Sequence, residues 1–106
     1  MKIYKQQEWK GGWFIGDFQP AAYHTKDFEV CHKIHPKGEE WPEHYHKVAT
    51  EINMLIKGRM TIDDHIFEAG DVFVIEPNET VNPTFLEDCE LIVVKTPSLT
   101  YDKYEI

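Results

Sequence analysis

His44 and His46 stand two residues apart, and Glu51 follows five residues later. Alternate residues of a strand project from one face, so a strand through 44–46 presents both imidazoles together. In an unbroken strand the odd step from His46 would turn Glu51 to the opposite face. A turn or bulge over Lys47 to Thr50 is therefore expected, restarting the strand and returning the carboxylate beside the histidines. Two imidazoles and one carboxylate converging in this way suit a divalent transition metal with open coordination positions. Mn(II), Fe(II), Zn(II) and Ni(II) all accept such a set, so the pattern points to a metal without naming it. In an empty pocket the same histidines could exchange protons with a bound substrate.

Several neighbours belong to the same reading. Asn53 lies two residues after Glu51 on the same expected strand face, where a hydrogen bond could orient a ligand. Trp41 precedes the histidines and is expected in the core or at the mouth of the pocket, whereas Tyr45 alternates away from it. His32, in F-E-V-C-H-K-I-H, could line the interior or sit satisfied at the surface. His65 follows Asp63-Asp64, an expected hairpin turn, and is read as a surface residue. His24 and His35 have no assignable partner.

These residues need strands to hold them, and the chain supplies short ones. Apolar or alternating runs cover Trp13 to Phe18, Phe28 to His35, Glu51 to Lys57, Arg59 to Ile62, Asp71 to Ile75 and Cys89 to Thr96. Glycine, proline or aspartate pairs punctuate them, and no segment keeps a helical period for three turns. Many short strands so spaced indicate an all-β sandwich or barrel. In E-I-N-M-L-I-K, Glu51, Asn53 and Leu55 share one face while Ile52, Met54 and Ile56 form an apolar second face. A barrel core covers one of these faces. The other calls for a further layer or a second subunit, and a homodimer is expected.

From Gly38 to Gly58 the spacing G-x5-H-x-H-x4-E-x6-G is satisfied residue for residue. It resembles the first motif of the cupin superfamily, and H-Y-H-K-V-A-T-E-I is similar to the corresponding segment of germins. The downstream G-D-V-F-V-I-E-P-N-E falls where cupins carry their second motif. The resemblance spans about residues 28–96 and implies a single RmlC-like cupin domain over 1–106, a double-stranded β-helix or jelly-roll barrel. Residues 1–27 then form an N-terminal strand extension, whose W-F-I-G-D-F run is expected to add an edge strand to a partner. The second motif departs from the pattern. With Gly70 aligned on its opening glycine, Glu76 takes a usual proline position, Asn78 a usual glycine and Val81 the position of the last histidine ligand. Asn82, one residue on, faces the other way unless the strand is bulged.

The resemblance therefore implies a site of His44, His46 and Glu51, with Asn53, Val81, Asn82, His32 and Trp41 around it and an apolar group at the fourth-ligand position. Three activities follow: a metal-dependent isomerase, epimerase or dioxygenase acting on a small oxygenated molecule such as a sugar or oxyacid; a metal-free sugar-modifying cupin; or a non-catalytic ligand-binding module. The formal net charge of -8 over 106 residues argues against nucleic-acid backbones and anionic membrane surfaces as partners. No leader-like or membrane-length apolar run is seen, so a cytoplasmic protein is expected. Cys31 and Cys89 form no C-x-x-C pattern and are expected to be buried thiols.

Overall fold

A computed structural model describes residues 1–105. Among these described residues eleven short strands make up the regular structure, with two single 3-10 turns before the first of them and no α-helix. Among the described residues no helix is long and apolar enough to cross a membrane.

The strands are Trp13–Gly16 (β1), Tyr23–His24 (β2), Glu29–His35 (β3), His44–Tyr45 (β4), Thr50–Lys57 (β5), Arg59–Ile62 (β6), His65–Glu68 (β7), Val72–Ile75 (β8), Pro83–Phe85 (β9), Cys89–Thr96 (β10) and Tyr104–Glu105 (β11). They form a six-stranded sheet in the order β2-β1-β3-β10-β5-β8, a three-stranded sheet β7-β6-β9 and a two-stranded ribbon β11-β4. The non-sequential order is that of a jelly roll, in which the two sheets fold onto each other.

Alternation decides what faces inward. On β5 the inward residues run Glu51, Asn53, Leu55, and the register sets them against Lys95, Val93 and Leu91 of β10. On β3, Glu29, Cys31 and Lys33 meet the same three residues of β10 from the other side. On β5 and β10 the inner face thus grades from charged to apolar, while β3 sets Lys33 opposite Leu91. At the apolar end Cys31, Leu55, Leu91, Val93 and Cys89 pack against Met60 and Phe85 from the small sheet. Gly58, at φ 91°, makes the tight β5–β6 turn that brings the small sheet across. A Cβ there would collide with the Asp88 carbonyl oxygen and the Cys89 sulfur.

The N-terminal run corrects one expectation. Trp13–Gly16 closes onto β3 of its own chain, antiparallel with a register shift between Trp13 and Ile15, and β2 pairs along its outer side. Residues 13–16 thereby complete the large sheet in cis, which leaves them no free edge to offer a partner. Trp13 pairs with Cys31 in this register and packs against the core.

Candidate functional site

Between them the sheets enclose a cavity of about 210 Å³, lined by charged residues and by part of the core, including Met60, Phe85 and Leu91. His44, His46, Glu51, Asn53, Val81 and Trp41 all line it. Residue 44 is tied to the second motif by two backbone bonds, from His44 N–H to the Val81 carbonyl at 3.2 Å and from Val81 N–H to the His44 carbonyl at 2.9 Å. Val81 is buried there and lines the cavity.

The expected turn between His46 and Glu51 exists, and Asp102 holds it. Its carboxylate accepts the backbone N–H groups of Lys47 at 3.0 Å, Val48 at 3.0 Å and Ala49 at 2.7 Å. These donors are consecutive and point one way, so the chain reverses there and β5 restarts with Glu51 facing the cavity. Burial alone would raise the Asp102 pKa, but the three donors and the nearby His46 outweigh it and hold the carboxyl below its usual range. The Asp102 backbone carbonyl also accepts from His46 Nδ1. On the other histidine, Nδ1 lies 3.0 Å from the Pro42 carbonyl oxygen.

A carbonyl oxygen can only accept, so each Nδ1 carries the proton and each neutral ring keeps its lone pair on Nε2. Both rings line the cavity, and Nε2 is the nitrogen left for whatever enters. Burial lowers the His44 pKa, helped by Lys103 and His46 and opposed by the Pro42 hydrogen bond and by Glu51.

Two neutral imidazoles and a carboxylate are donors of the right kind for a divalent metal. The distances are a separate matter. Among the described residues no three His, Cys, Asp or Glu side chains stand close enough to hold one ion, and the two histidine rings are 6.0 Å apart and nearly perpendicular. The donor types fit a metal, but their spacing does not.

Two residues expected near the site lie elsewhere. His32 projects from the outer face of β3, where Gln6 lies 2.8 Å from its Nδ1 and Glu90 2.9 Å from its Nε2. It alternates with Cys31 and Lys33, which take the inner face, so it cannot reach the cavity. Asn82 is exposed and outside the lining, because alternation past Val81 turns it to solvent.

Other lining residues were not singled out from the sequence. His35 is buried on the inner face of β3, stacked on Phe85 at 4.2 Å and donating from Nδ1 to Glu39 at 2.6 Å. Its alternation with Cys31 was a readable signal. Glu39 also accepts from the Trp41 indole N–H. Burial raises its pKa, but these two donors prevail and hold it below the ordinary carboxylate range. Lys33, Lys95 and Lys103 line the cavity as well, and the last comes from a C-terminal segment that no sequence pattern linked to the histidines.

The strand order, the inward alternation and the cavity at one end of the barrel define a double-stranded β-helix. This is the fold of RmlC-like cupins, and solved structures agree. An RmlC-like cupin family protein from Methanocaldococcus jannaschii is 27% identical, with 70% of this chain and 73% of that one superimposed at a TM-score of 0.60. The DMSP lyase DddQ from Ruegeria pomeroyi is 16% identical over 86% of this chain and 48% of its own, at a TM-score of 0.70. Pac13, a nucleoside dehydratase, is 13% identical over 100% of this chain and 91% of its own, at a TM-score of 0.75. No family model matches the sequence. A Pseudomonas putida XylDLEGF operon transcriptional activator is 38% identical over 40 residues, which are 38% of this chain and 12% of the activator. The chain thus spans about an eighth of the length of the curated relatives it matches.

Proposed function

We propose that this cupin binds and converts a small oxygenated molecule, such as a sugar or oxyacid, with His44 and His46 as its proton-exchanging pair. One observation carries the reading: backbone carbonyls fix both Nδ1 protons and leave two basic Nε2 atoms to a cavity of about 210 Å³. Burial disfavours the protonated form of His44, so this ring is a base before it is an acid. Glu51, on the next strand β5 and lining the same cavity, can take or return the second proton that an isomerisation or epimerisation requires. Two cupin-fold neighbours described as a lyase and a nucleoside dehydratase support small-molecule chemistry in such a barrel.

A metal-assisted form of the reading keeps His44, His46 and Glu51 as holders of Mn, Fe, Zn or Ni. It requires the three side chains to draw closer together than they stand. A bound ion would supply Lewis-acid polarisation of a substrate oxygen.

The test is deuterium exchange. Small aldoses, uronates and 2-oxo acids are incubated with the protein in D2O, and carbon-bound deuterium is followed by NMR. Exchange is expected for at least one compound and should fall by about 100-fold or more in His44→Gln or His46→Gln. Exchange that is unchanged in both variants would sink the proposal. Ligand binding without exchange would favour a non-catalytic sensing module, the reading that the 40-residue likeness to transcriptional activators supports.

A further inference from the structure

His35 is a third imidazole on the cavity wall, and its partner differs in kind from those of the other two. His44 and His46 each meet a backbone carbonyl through Nδ1, whereas His35 Nδ1 lies 2.6 Å from a Glu39 carboxylate oxygen. Burial works against charge on Glu39, but the hydrogen bonds from His35 and Trp41 prevail and hold its carboxyl below the ordinary range. Glu39 is therefore an anion near neutral pH and can only accept, so the neutral His35 ring carries its proton on Nδ1. Glu39 stands outside the cavity lining while His35 is part of it. Nε2, across the ring from Nδ1, is the nitrogen left to the cavity.

A histidine kept for structure engages both nitrogens, as His32 does on the outer face between Gln6 and Glu90. His35 is 9% exposed, yet among the described residues it is engaged through Nδ1 alone. Buried polar atoms nearly always have partners, so a basic nitrogen left open beside a cavity is a group with a use. The ring is also clamped. It stacks on Phe85 at 4.2 Å with 15° between the planes, and the Trp41 ring stands edge-on to it at 5.7 Å. Trp41 serves twice, because its indole N–H donates to the same Glu39 oxygen that His35 meets. The Trp41 ring is also 6.4 Å from that of His44, so His35 and His44 flank one tryptophan on one cavity wall.

We infer that His35 is a further proton-transferring group of this cavity, with Glu39 and Trp41 as its positioning residues. Nε2 takes a proton from a bound molecule, whose electron pair stays on that molecule, and the imidazolium so formed faces the Glu39 carboxylate. The same nitrogen returns the proton to a neighbouring atom, so nothing else is consumed. A charge formed on His44 meets a carbonyl dipole at Nδ1 instead of an anion, which suits the two rings to different ends of one transfer. The inference deepens the proposed function and rests on it for the reaction, but not for the placement of His35.

Two measurements on the full chain test it. Diethyl pyrocarbonate acylates a neutral imidazole at its free nitrogen, and trypsin separates peptide 34–37, which holds His35, from peptide 38–47, which holds His44 and His46. Mass spectrometry should find His35 acylated in the folded protein. Acylation should be about threefold or more slower in Glu39→Gln, which keeps an acceptor at Nδ1 but removes the charge. In the D2O assay, exchange should fall by about 100-fold or more in His35→Gln and by about tenfold in Glu39→Gln. Imidazole added to His35→Ala should restore part of the lost exchange, which a merely structural histidine would not allow. Circular dichroism identifies any variant that fails to fold, and acylation of the wild type needs no variant. A His35 that stays unlabelled until the protein unfolds would overturn the inference, and so would exchange unchanged in His35→Gln. Exchange lost in His35→Gln but kept in His44→Gln and His46→Gln would uphold His35 and remove the other pair from the proposed function. Exchange lost in the His44 and His46 variants alone would do the reverse. No exchange from any compound would remove both.

Discussion

Val81 and Glu51 decide how a metal would be held, because one occupies the expected fourth-ligand position and the other is the only anion in the triad. Val81 is bonded through its backbone to residue 44, so an imidazole placed there enters the cavity beside the existing pair. If the three side chains draw together around an ion, Val81→His should tighten Mn(II) or Zn(II) binding by about tenfold or more, and Glu51→Ala should weaken it by a similar factor. Identical weak binding by wild type and both variants in calorimetric titration would mean that the triad holds no metal. The cysteines offer a second check at this scale. Burial pushes the Cys31 thiol up to about 12, against smaller lowering effects from Lys33 and Lys95. Cys89 is also raised by burial, while its thiol donates to the carbonyls of Arg59 and Glu87. Neither forms a thiolate readily near neutral pH, so a thiol reagent should label the native protein no faster than it unfolds. Rapid labelling of the folded protein at pH 8 would contradict this placement.

The loop between β4 and β5 depends on an element far away in sequence. The Asp102 carboxylate ties its backbone down, and three backbone donors converge on it. Asp102→Ala should destabilise the fold by about 2–3 kcal/mol, since it strips a charged acceptor from buried amides. The pH dependence has a definite sign. The folded pKa lies below the usual aspartate value of about 3.9, so the contribution is complete above that value and is lost as pH falls through the folded one. Asp102→Asn should therefore flatten the acid limb of a stability–pH profile measured by urea unfolding. A profile matching wild type would show that the carboxylate bears no such load. Dependence at this range explains what could be read from the sequence. The parity argument required a turn over 47–50, and the runs at Arg59–Ile62 and Cys89–Thr96 match β6 and β10 to the residue. Local alternation could do that much. It could not reveal Asp102, 51 residues from Glu51, because nothing in Y-D-K-Y marks a buried acceptor. The two-residue strands β2 and β11 were invisible for a related reason: they exist only through the partner they pair with.

Viewed whole, the barrel buries its inner face and leaves its outer one uncovered. The β5 register sets Ile52 and Met54 beside Val94 and Ile92 of β10 on one side and Val74 and Val72 of β8 on the other. Met54, Val72 and Val74 are 44%, 58% and 48% exposed, so the large sheet presents a contiguous apolar surface to solvent. Single exposed apolar residues are ordinary, but a surface running across three adjacent strands is costly for a monomer to keep wet. A second copy of the chain is the proposed cover. A stable interface needs about 800 Å² from each partner, little more than a tenth of the 6812 Å² of this molecule. Two such sheets can stack face to face about 10 Å apart around a twofold axis, each patch meeting its own image. The cavity opens on the other side of the sheet and stays accessible. Multi-angle light scattering at micromolar concentration should therefore give twice the 12.5 kDa of one chain. Met54→Glu should raise the dimer dissociation constant by about a hundredfold, because it buries an unpaired charge against its symmetry mate. Ligand affinity in the cavity should not change in that variant, since residue 54 faces outward. A wild-type mass of 12.5 kDa would refute the homodimer and leave the outer face to another partner.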